Sequence, residues 1–270
     1  MRANSITSSI DGATQLLGII GDPLEKAKTP TLITPLLASG RFEKNIVLVP
    51  LRVPDGHLGE VLHGLRQVGN FRGAVITMPH KQAAKYLAEE VSAEAEIVGA
   101  CNVLRFDRNR RIMGTMLDGE GFVASLCEQG HSLEGRSILL IGAGGVAAGI
   151  AYALTKAGAA RLTITNRNME RAEALAKRLG TQIQTAGHPH ACDFDIIVNA
   201  TSLGMGAGDV LPIPLDGLKP SALVCDVVVA VEKTAFLKEA EDRGCQTHVG
   251  SHMLNAQLER VLEYILQPDS

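Results

Sequence analysis

Short apolar runs alternate with amphipathic segments along almost the whole of this 270-residue chain. The runs are rich in β-branched residues, which is typical of buried strands, and the segments between them carry apolar residues at helical spacing. This alternation predicts parallel sheets covered by helices. Thr29-Pro30 is interpreted as an N-cap followed by the first residue of a helix, and a hairpin is predicted at 101–106 and 111–116. Further strands are expected at residues 16–20, 45–53, 73–77, 138–141, 162–165, 182–185, 195–200, 223–229 and 247–249.

The apolar run 138–141 leads directly into the turn Gly142-Ala143-Gly144-Gly145, and a helix of small apolar residues begins at Val146. A strand, a glycine-rich turn and a helix in this order form the phosphate-binding motif of dinucleotide-binding domains. Gly142 permits the tight turn, and Gly144 lets the backbone approach a pyrophosphate that faces the helix N-terminus. We therefore expect nucleotide binding. The alternative is a strand-to-helix turn that binds nothing.

Two polar residues follow the next predicted strand. Asn166-Arg167 lies roughly twenty residues past the glycines, where an NAD site carries an acidic residue for the ribose 2′-hydroxyl. Arg171 lies one helical turn further on. An amide and a guanidinium at this place favour the 2′-phosphate of NADP over NAD. The alternative is a solvated surface arginine.

Composition narrows the possible partners. The chain carries 26 basic and 29 acidic residues without a basic block, which argues against nucleic acid and anionic membranes. The five cysteines are odd in number and lack CxxC spacing, which predicts reduced thiols in a cytoplasmic protein. His188-Pro189-His190 lacks further ligands at metal-binding spacing, so we expect no metal. Neither a secretory signal nor a membrane-spanning run is recognised, and a small-molecule partner is favoured.

Two ionisable residues stand where predicted strands end. Lys81 follows a Thr-x-Pro turn, and Asp118 precedes a glycine turn. Ligands of α/β proteins collect at the carboxyl ends of strands, and a lysine in a cleft of low polarity can move a proton. The alternatives are a solvated lysine and an N-cap aspartate, and spacing alone favours these alternatives.

Eight motifs follow one another in the order typical of the shikimate dehydrogenase family, which the chain resembles along almost its whole length. They are Gly21-Asp22-Pro23-Leu24 with Thr29-Pro30, Gly73 to Lys81, Gly99-Ala100-Cys101-Asn102, Gly114 to Gly121, the Gly142-Ala143-Gly144-Gly145 turn, Asn166-Arg167, Asn199 to Met205, and Gly250 to Gln257. Each motif alone is weak, but eight in order are specific.

The resemblance implies an NADP-dependent oxidoreductase that exchanges a hydride with a ring hydroxyl of a shikimate- or quinate-type acid, on the chorismate route to aromatic amino acids. It implies proton transfer by Lys81 and Asp118. The implied substrate contacts are Thr29, Thr77, Asn102 and Gln257. The implied cofactor contacts are Gly142, Ala143, Gly144, Gly145, Val146, Asn166, Arg167, Arg171, Thr201, Ser202, Met205, Val227 and Gly250.

The expected fold is α/β with two domains. Residues 1–121 form the N-terminal substrate and catalytic domain, and the last helix, at about 252–266, packs back on it. Residues 122–251 form the C-terminal Rossmann-type domain for NADP. No Pro/Gly linker marks the boundary, which we place within the helix predicted at 120–130 because the strand before the glycine turn should open a new domain.

The departures from the family pattern all fall in the expected substrate pocket. Apolar side chains occupy positions where the family has polar ones: Ala27, Val75, Met116, Leu117 and Val229. Each change removes a hydrogen-bonding group from a site for a polyol acid, and such losses can cost orders of magnitude in discrimination. Lys26 or Lys28 could replace one lost carboxylate contact, although a plain surface lysine is the simpler interpretation.

Three hypotheses stay open. The first is a shikimate or quinate dehydrogenase, the second is a dehydrogenase of the same fold with a less polar substrate, and the third is a non-catalytic sensor of a nucleotide or metabolite. The protein could be a monomer or a homodimer.

Overall fold

The computed structural model describes residues 10–25, 27–42, 45–180, 182–206, 208 and 210–268. The chain divides into two compact units. Unit 1 comprises Met1–Glu96, Ala100–Met116 and Leu258–Ser270, and unit 2 comprises Ile97–Gly99 and Leu117–Gln257.

Unit 1 is built on a mixed six-stranded sheet. Its strands are β1 (Gln15–Gly21), β2 (Ile46–Arg52), β3 (Phe71–Ile76), β4 (Glu90–Val91), β5 (Val103–Phe106) and β6 (Ile112–Thr115). The helices between them are α1 (Thr29–Ala38), α2 (Leu58–Leu65), α3 (Lys81–Leu87) and α4 (Ala93–Val98), the last of which continues into unit 2. The strand order is β2-β1-β3-β5-β6-β4. Strand β1 pairs in parallel with β2 and β3, whereas β5 is antiparallel to both β3 and β6.

The carboxyl ends of β1 and β3 and the start of β5 lie at one edge of this sheet, because β5 runs opposite to its neighbour. The sheet is packed on large buried side chains such as Phe71 and Leu104. A side chain at Gly73 would collide with the carbonyl of Leu104 and would come within 2.9 Å of Ile265, so the end of the chain packs directly on β3.

Unit 2 is built on a six-stranded parallel sheet. Its strands are β7 (Ser137–Ile141), β8 (Arg161–Thr165), β9 (Ile183–Thr185), β10 (Ile196–Asn199), β11 (Leu223–Asp226) and β12 (Gln246–His248). The helices are α5 (Asp118–Glu128), α6 (Gly145–Lys156), α7 (Met169–Leu179), α8 (Ala235–Asp242) and α9 (Gly250–Leu266), whose residues from Leu258 onward belong to unit 1. The strand order β12-β11-β10-β7-β8-β9 reverses direction at β7. Such a reversal creates the crevice at the carboxyl edge where α/β proteins bind dinucleotides.

The sequence predicts a division after residue 121, whereas the units part after Met116. The cause is the packing of α5 on α6, where a side chain at Gly119 would collide with the backbone of Gly149. This contact keeps the whole of α5 with unit 2.

The expected N-cap at Thr29 is wrong. Lys28 occupies the N-cap position with helical backbone angles and no side-chain cap, and Thr29 is the first residue of the helix. None of the helices that the structure describes combines the length and the apolar character that crossing a bilayer requires.

Candidate active site

The glycine turn of unit 2 forms a cradle for an anion. Gly142 has a φ of +122°, and a Cβ there would lie 2.9 Å from the carbonyl oxygen of Ala200, so only glycine fits. Gly144 is the N-cap of α6, and no described atom lies within 4 Å of the place its Cβ would occupy. The first N–H groups of a helix have no acceptor within the helix. Open space above such N–H groups fits a pyrophosphate.

A cleft of about 880 Å³ adjoins this turn. Asn166 and Arg167, just past the end of β8, line one side of it, and Thr201 and Ser202, just past the end of β10, line another. Arg167 is exposed, which leaves its guanidinium accessible to a phosphate. Arg171 is not among the residues that line the cleft. It lies in the first turn of α7.

The loop carrying Asn166 is held by local hydrogen bonds. The Asn166 side chain donates to the carbonyl of Asn168 at 2.8 Å, and the Asn168 side chain accepts from the backbone N–H of Arg171 at 3.2 Å as the N-cap of α7. The helix start therefore fixes the backbone next to Arg167.

The remaining predicted cofactor residues lie where β10 and β11 end. Met205 donates its N–H to the carbonyl of Ser202 at 3.2 Å, and Val227 donates its N–H to the carbonyl of Asn199 at 3.0 Å. Gly250 begins α9, and a Cβ there would lie 2.6 Å from the carbonyl of Val227. The structure thus brings Thr201, Ser202, Met205, Val227 and Gly250 to one edge of the unit 2 sheet.

A polar group forms at the edge of the unit 1 sheet. The N–H of Thr77 donates to the carbonyl of Ile20 at 2.9 Å, and the carbonyl of Asn102 accepts from Ile76 at 2.7 Å. The carbonyl of Lys81, the half-buried first residue of α3, accepts from Cys101 at 2.8 Å. These backbone hydrogen bonds therefore place Thr77, Lys81 and Asn102 close to one another.

The other substrate and catalytic candidates are buried. Thr29 is buried at the start of α1 in unit 1. In unit 2, Asp118 is the buried first residue of α5, and Gln257 is buried in α9. A Cβ at Gly121 would lie 2.7 Å from the Cβ of Gln257, so the first turn of α5 packs against Gln257.

The side chains that depart from the family pattern are all shielded from solvent to some degree. Met116 is buried, and four others are half-buried: Ala27, Val75, Leu117 and Val229. The interpretation that concerns Lys26 lies outside the described residues, and Lys28 stands at the N-cap of α1.

Sequence reasoning missed two buried polar groups of unit 2. One joins Asn199, Asp226 and Thr234 beneath the cofactor loops. An acidic residue that closes an apolar strand was the available signal. The other is a histidine cluster around His248, which nothing local in the sequence indicates.

The motif at 188–190 lies in the same cleft as Asn166 and Arg167. His188 and His190 line the 880 Å³ cleft. Within the described part of the chain, no group of three or more His, Cys, Asp or Glu side chains is arranged to hold a metal ion.

The parallel sheet with its reversal at β7, the glycine cradle and the cleft with Arg167 define unit 2 as a dinucleotide-binding domain of the Rossmann class. The family model for the shikimate dehydrogenase substrate binding domain matches residues 19–104, and that for shikimate / quinate 5-dehydrogenase matches residues 125–204. The chain is 40% identical over 253 residues to shikimate dehydrogenase (NADP(+)) of Rubrobacter xylanophilus, covering 91% of this chain and 88% of the relative. The chain therefore belongs to the shikimate dehydrogenase family.

Solved structures agree with this assignment. Shikimate dehydrogenase from Aquifex aeolicus superposes with a TM-score of 0.88 at 28% identity, covering 95% of this chain and 94% of that one. Shikimate 5-dehydrogenase from Thermus thermophilus, in complex with NADP(H) and shikimate, gives a TM-score of 0.84 at 28% identity, covering 95% of both chains. The predicted family, the two-domain α/β fold class and the class of NADP-linked oxidoreductase are confirmed.

Proposed function

We propose that this protein is an NADP-dependent oxidoreductase that interconverts a ring hydroxyl and a ketone of a shikimate-type cyclic acid. The observation that carries the proposal is the glycine cradle beside the cleft with Arg167, in a chain of the shikimate dehydrogenase family. When bound, NADP(H) supplies or accepts the hydride, and the protein must bind, orient and move a proton.

Different residues of the chain hold different parts of the cofactor. The backbone from Gly142 to Val146 holds the pyrophosphate, because the N–H groups that begin α6 and the dipole of that helix face the open cradle. Asn166 and Arg167 hold the 2′-phosphate, and Arg171 adds positive charge nearby. A guanidinium is suited to this task because its planar fork matches phosphate oxygens.

Lys81 and Asp118 act in proton transfer at the reacting oxygen. An oxygen that becomes a hydroxyl needs a proton, and an ammonium group can supply it. Asp118 is buried, so its carboxylate interacts more strongly with a positive charge than it would in water. Thr29, Thr77, Asn102 and Gln257 orient the substrate through their hydroxyl and amide groups.

A second candidate function is a dehydrogenase of the same chemistry with a less polar substrate. It is favoured by the half-buried apolar side chains of Ala27, Val75, Leu117 and Val229. A substrate with fewer hydroxyl groups leaves no polar group unpaired against these side chains.

The decisive experiment is NADP-linked oxidation of shikimate and quinate by the purified protein and by Lys81→Ala. Lys85→Ala is the matched control, because Lys85 lies on the same helix and pairs with Glu96 at 3.0 Å. We expect turnover by the wild type and the control, and a loss of at least about a hundredfold in kcat in Lys81→Ala, which is the lower end of the range for general acid–base groups.

Unchanged turnover in Lys81→Ala would remove the proposed catalytic role. A wild type that binds NADPH but oxidises neither acid would favour the second candidate, and less polar ring alcohols would be tested next.

We also propose that the protein is located in the cytoplasm, because all five cysteines, each in the described part of the chain, are free thiols. It leaves a monomer and a homodimer as the two possible states.

A further inference from the structure

Two adjacent strands of unit 2 end in buried polar side chains that face each other. Asn199 closes β10, Asp226 closes β11, and the two residues are direct partners in the register of the sheet. Both are at most 1% exposed. Burying an amide and a carboxyl group in a sheet is costly unless each finds hydrogen-bond partners.

Asn199 uses its whole amide group. Its Oδ1 accepts from the N–H of Thr201 at 3.1 Å and from the hydroxyl of Thr201 at 2.7 Å. Its Nδ2 donates to the carbonyl of Leu203 at 3.0 Å and to Oδ2 of Asp226 at 3.1 Å. Two donor and two acceptor positions are thereby satisfied, and the loop after β10 is tied to the strand next to it.

Asp226 ties down the next loop in the same way. Its Oδ1 accepts from the N–H of Val228 at 2.9 Å, and its Oδ2 accepts from the hydroxyl of Thr234, the N-cap of α8, at 2.8 Å. Burial raises the pKa of Asp226, while the hydrogen bonds from Val228, Asn199 and Thr234 oppose that rise. One carboxyl group thus joins two loops and the start of a helix.

The order of the strands tells which half of the cofactor these loops serve. The cofactor crosses the sheet at the glycine turn after β7, and the ribose next to the adenine is recognised at the end of β8. The other half of a dinucleotide therefore faces the ends of β10 and β11, on the opposite side of the reversal. The loops held by Asn199 and Asp226 are the loops on that side.

We propose that Asp226, acting with Asn199, is a positioning residue for the nicotinamide half of the cofactor site, which it shapes by holding the loops 200–205 and 227–229 in one arrangement. The inference rests on the proposed function for the identity of the cofactor. It assigns a role to two buried residues through the loops that they hold.

Replacement of Asp226 by Asn tests this role with little change in shape. The new amide presents one oxygen and one NH₂ group to three donors: the Val228 N–H, the Asn199 NH₂ and the Thr234 hydroxyl. In either orientation the new NH₂ faces an existing N–H donor, so the contact either to Val228 or to Asn199 is lost. Asp195→Asn is the matched control, because Asp195 precedes the opposite end of β10 and accepts from Ser137.

Two ligands separate positioning from general damage. NADPH fills both halves of the site, whereas 2′,5′-ADP fills the adenosine half alone. We expect Asp226→Asn to raise the Kd for NADPH about tenfold and to change the Kd for 2′,5′-ADP less than twofold, with both constants unchanged in Asp195→Asn. Titration calorimetry measures both.

If Asp226→Asn weakened the binding of both ligands equally, Asp226 would have only a structural role. Unchanged affinity for NADPH would overturn the proposal. If Asp226→Asn does not fold, the same two Kd values are measured for Thr234→Val and Thr234→Ser. Only Thr234→Val should selectively weaken the binding of NADPH, because serine keeps the hydroxyl that donates to Asp226. The binding comparison needs no substrate. A wild type that oxidises neither shikimate nor quinate would therefore count against the proposed function, whereas this inference depends only on the ratio of the two affinities.

Discussion

Acidification should destabilise unit 2 through one buried histidine. His248 ends β12, and its Nε2 lies 2.9 Å from the hydroxyl of Ser125 on α5. The Ser125 hydroxyl donates to the carbonyl of Phe122 at 2.8 Å, so it can only accept from His248, which must carry its proton on Nε2. The Nδ1 of His248 faces Nδ1 of His252 at 3.4 Å and acts as the acceptor. Neutral His248 fits this arrangement.

The charged form of His248 does not fit it. The pKa of His248 is lowered from 6.5 to about 4, mainly by burial and in addition by the nearby His252 and His131. Because the folded pKa lies below the unfolded one, the unfolded chain binds more protons between these values. The stability that neutral His248 contributes is therefore complete above pH 6.5 and is lost as the pH falls toward 4. The two pKa values predict a loss of about 2 kcal/mol between pH 7 and pH 5.

Urea unfolding followed by circular dichroism at pH 7, 6 and 5 measures this loss. His248→Gln keeps a donor for Ser125 but does not titrate, and His190→Gln replaces an exposed histidine of the same unit as the control. We expect the wild type and the control to lose about 1 M more in urea midpoint than His248→Gln over this pH range. Carboxyl groups contribute equally in all three proteins and cancel. Parallel curves for the wild type and His248→Gln would refute the reasoning.

Three further predictions concern the cofactor site and one half-buried arginine of unit 1. Arg167→Asp should raise the Kd for NADPH at least tenfold more than that for NADH, because only NADPH carries the 2′-phosphate; an unchanged ratio in fluorescence titrations would contradict the assignment. Gly142→Ala should destabilise unit 2 by about 1–3 kcal/mol, because alanine disfavours a φ of +122° and would press on Ala200, whereas Gly144→Ala should weaken NADPH binding without lowering Tm. Arg110 donates hydrogen bonds to four backbone carbonyls of unit 1, so Arg110→Met should lower the free energy of unfolding by about 2–3 kcal/mol and leave the Kd for NADPH unchanged, and an unaltered Tm would count against it.

Local patterns were sufficient for most of the fold. The apolar run at 138–141 and its glycine turn appear as β7 and the start of α6, and the strand predicted at 162–165 lies within β8 (Arg161–Thr165). The two-residue strand β4 was missed because Glu90–Val91 is too short to show alternation. The N-cap at Thr29 was wrong because α1 begins without a side-chain cap, so the Thr-Pro signal marks the first turn instead.

For the candidate site and the buried polar groups, too, the sequence predicts some residues and not others. Residues in contiguous motifs, such as Asn166 and Arg167, could be found because the strand before them fixes where they lie. The pairing of Asn199 with Asp226 spans 27 residues, and that of Ser125 with His248 spans 123. No periodicity or spacing reports a contact at such separations, since it depends on the strand order and helix packing of the finished unit.

The contact between Gly73 and Ile265 has a consequence for how the protein is made. A ribosome synthesises β3 well before Ile265, and unit 1 includes both. The residues from Leu117 to Gln257, which form most of unit 2, have by then all been released. The second unit therefore has its complete sequence before the first. Until the residues around Ile265 have been synthesised, β3 lacks part of its packing, and the nascent chain exposes apolar surface that a chaperone can bind.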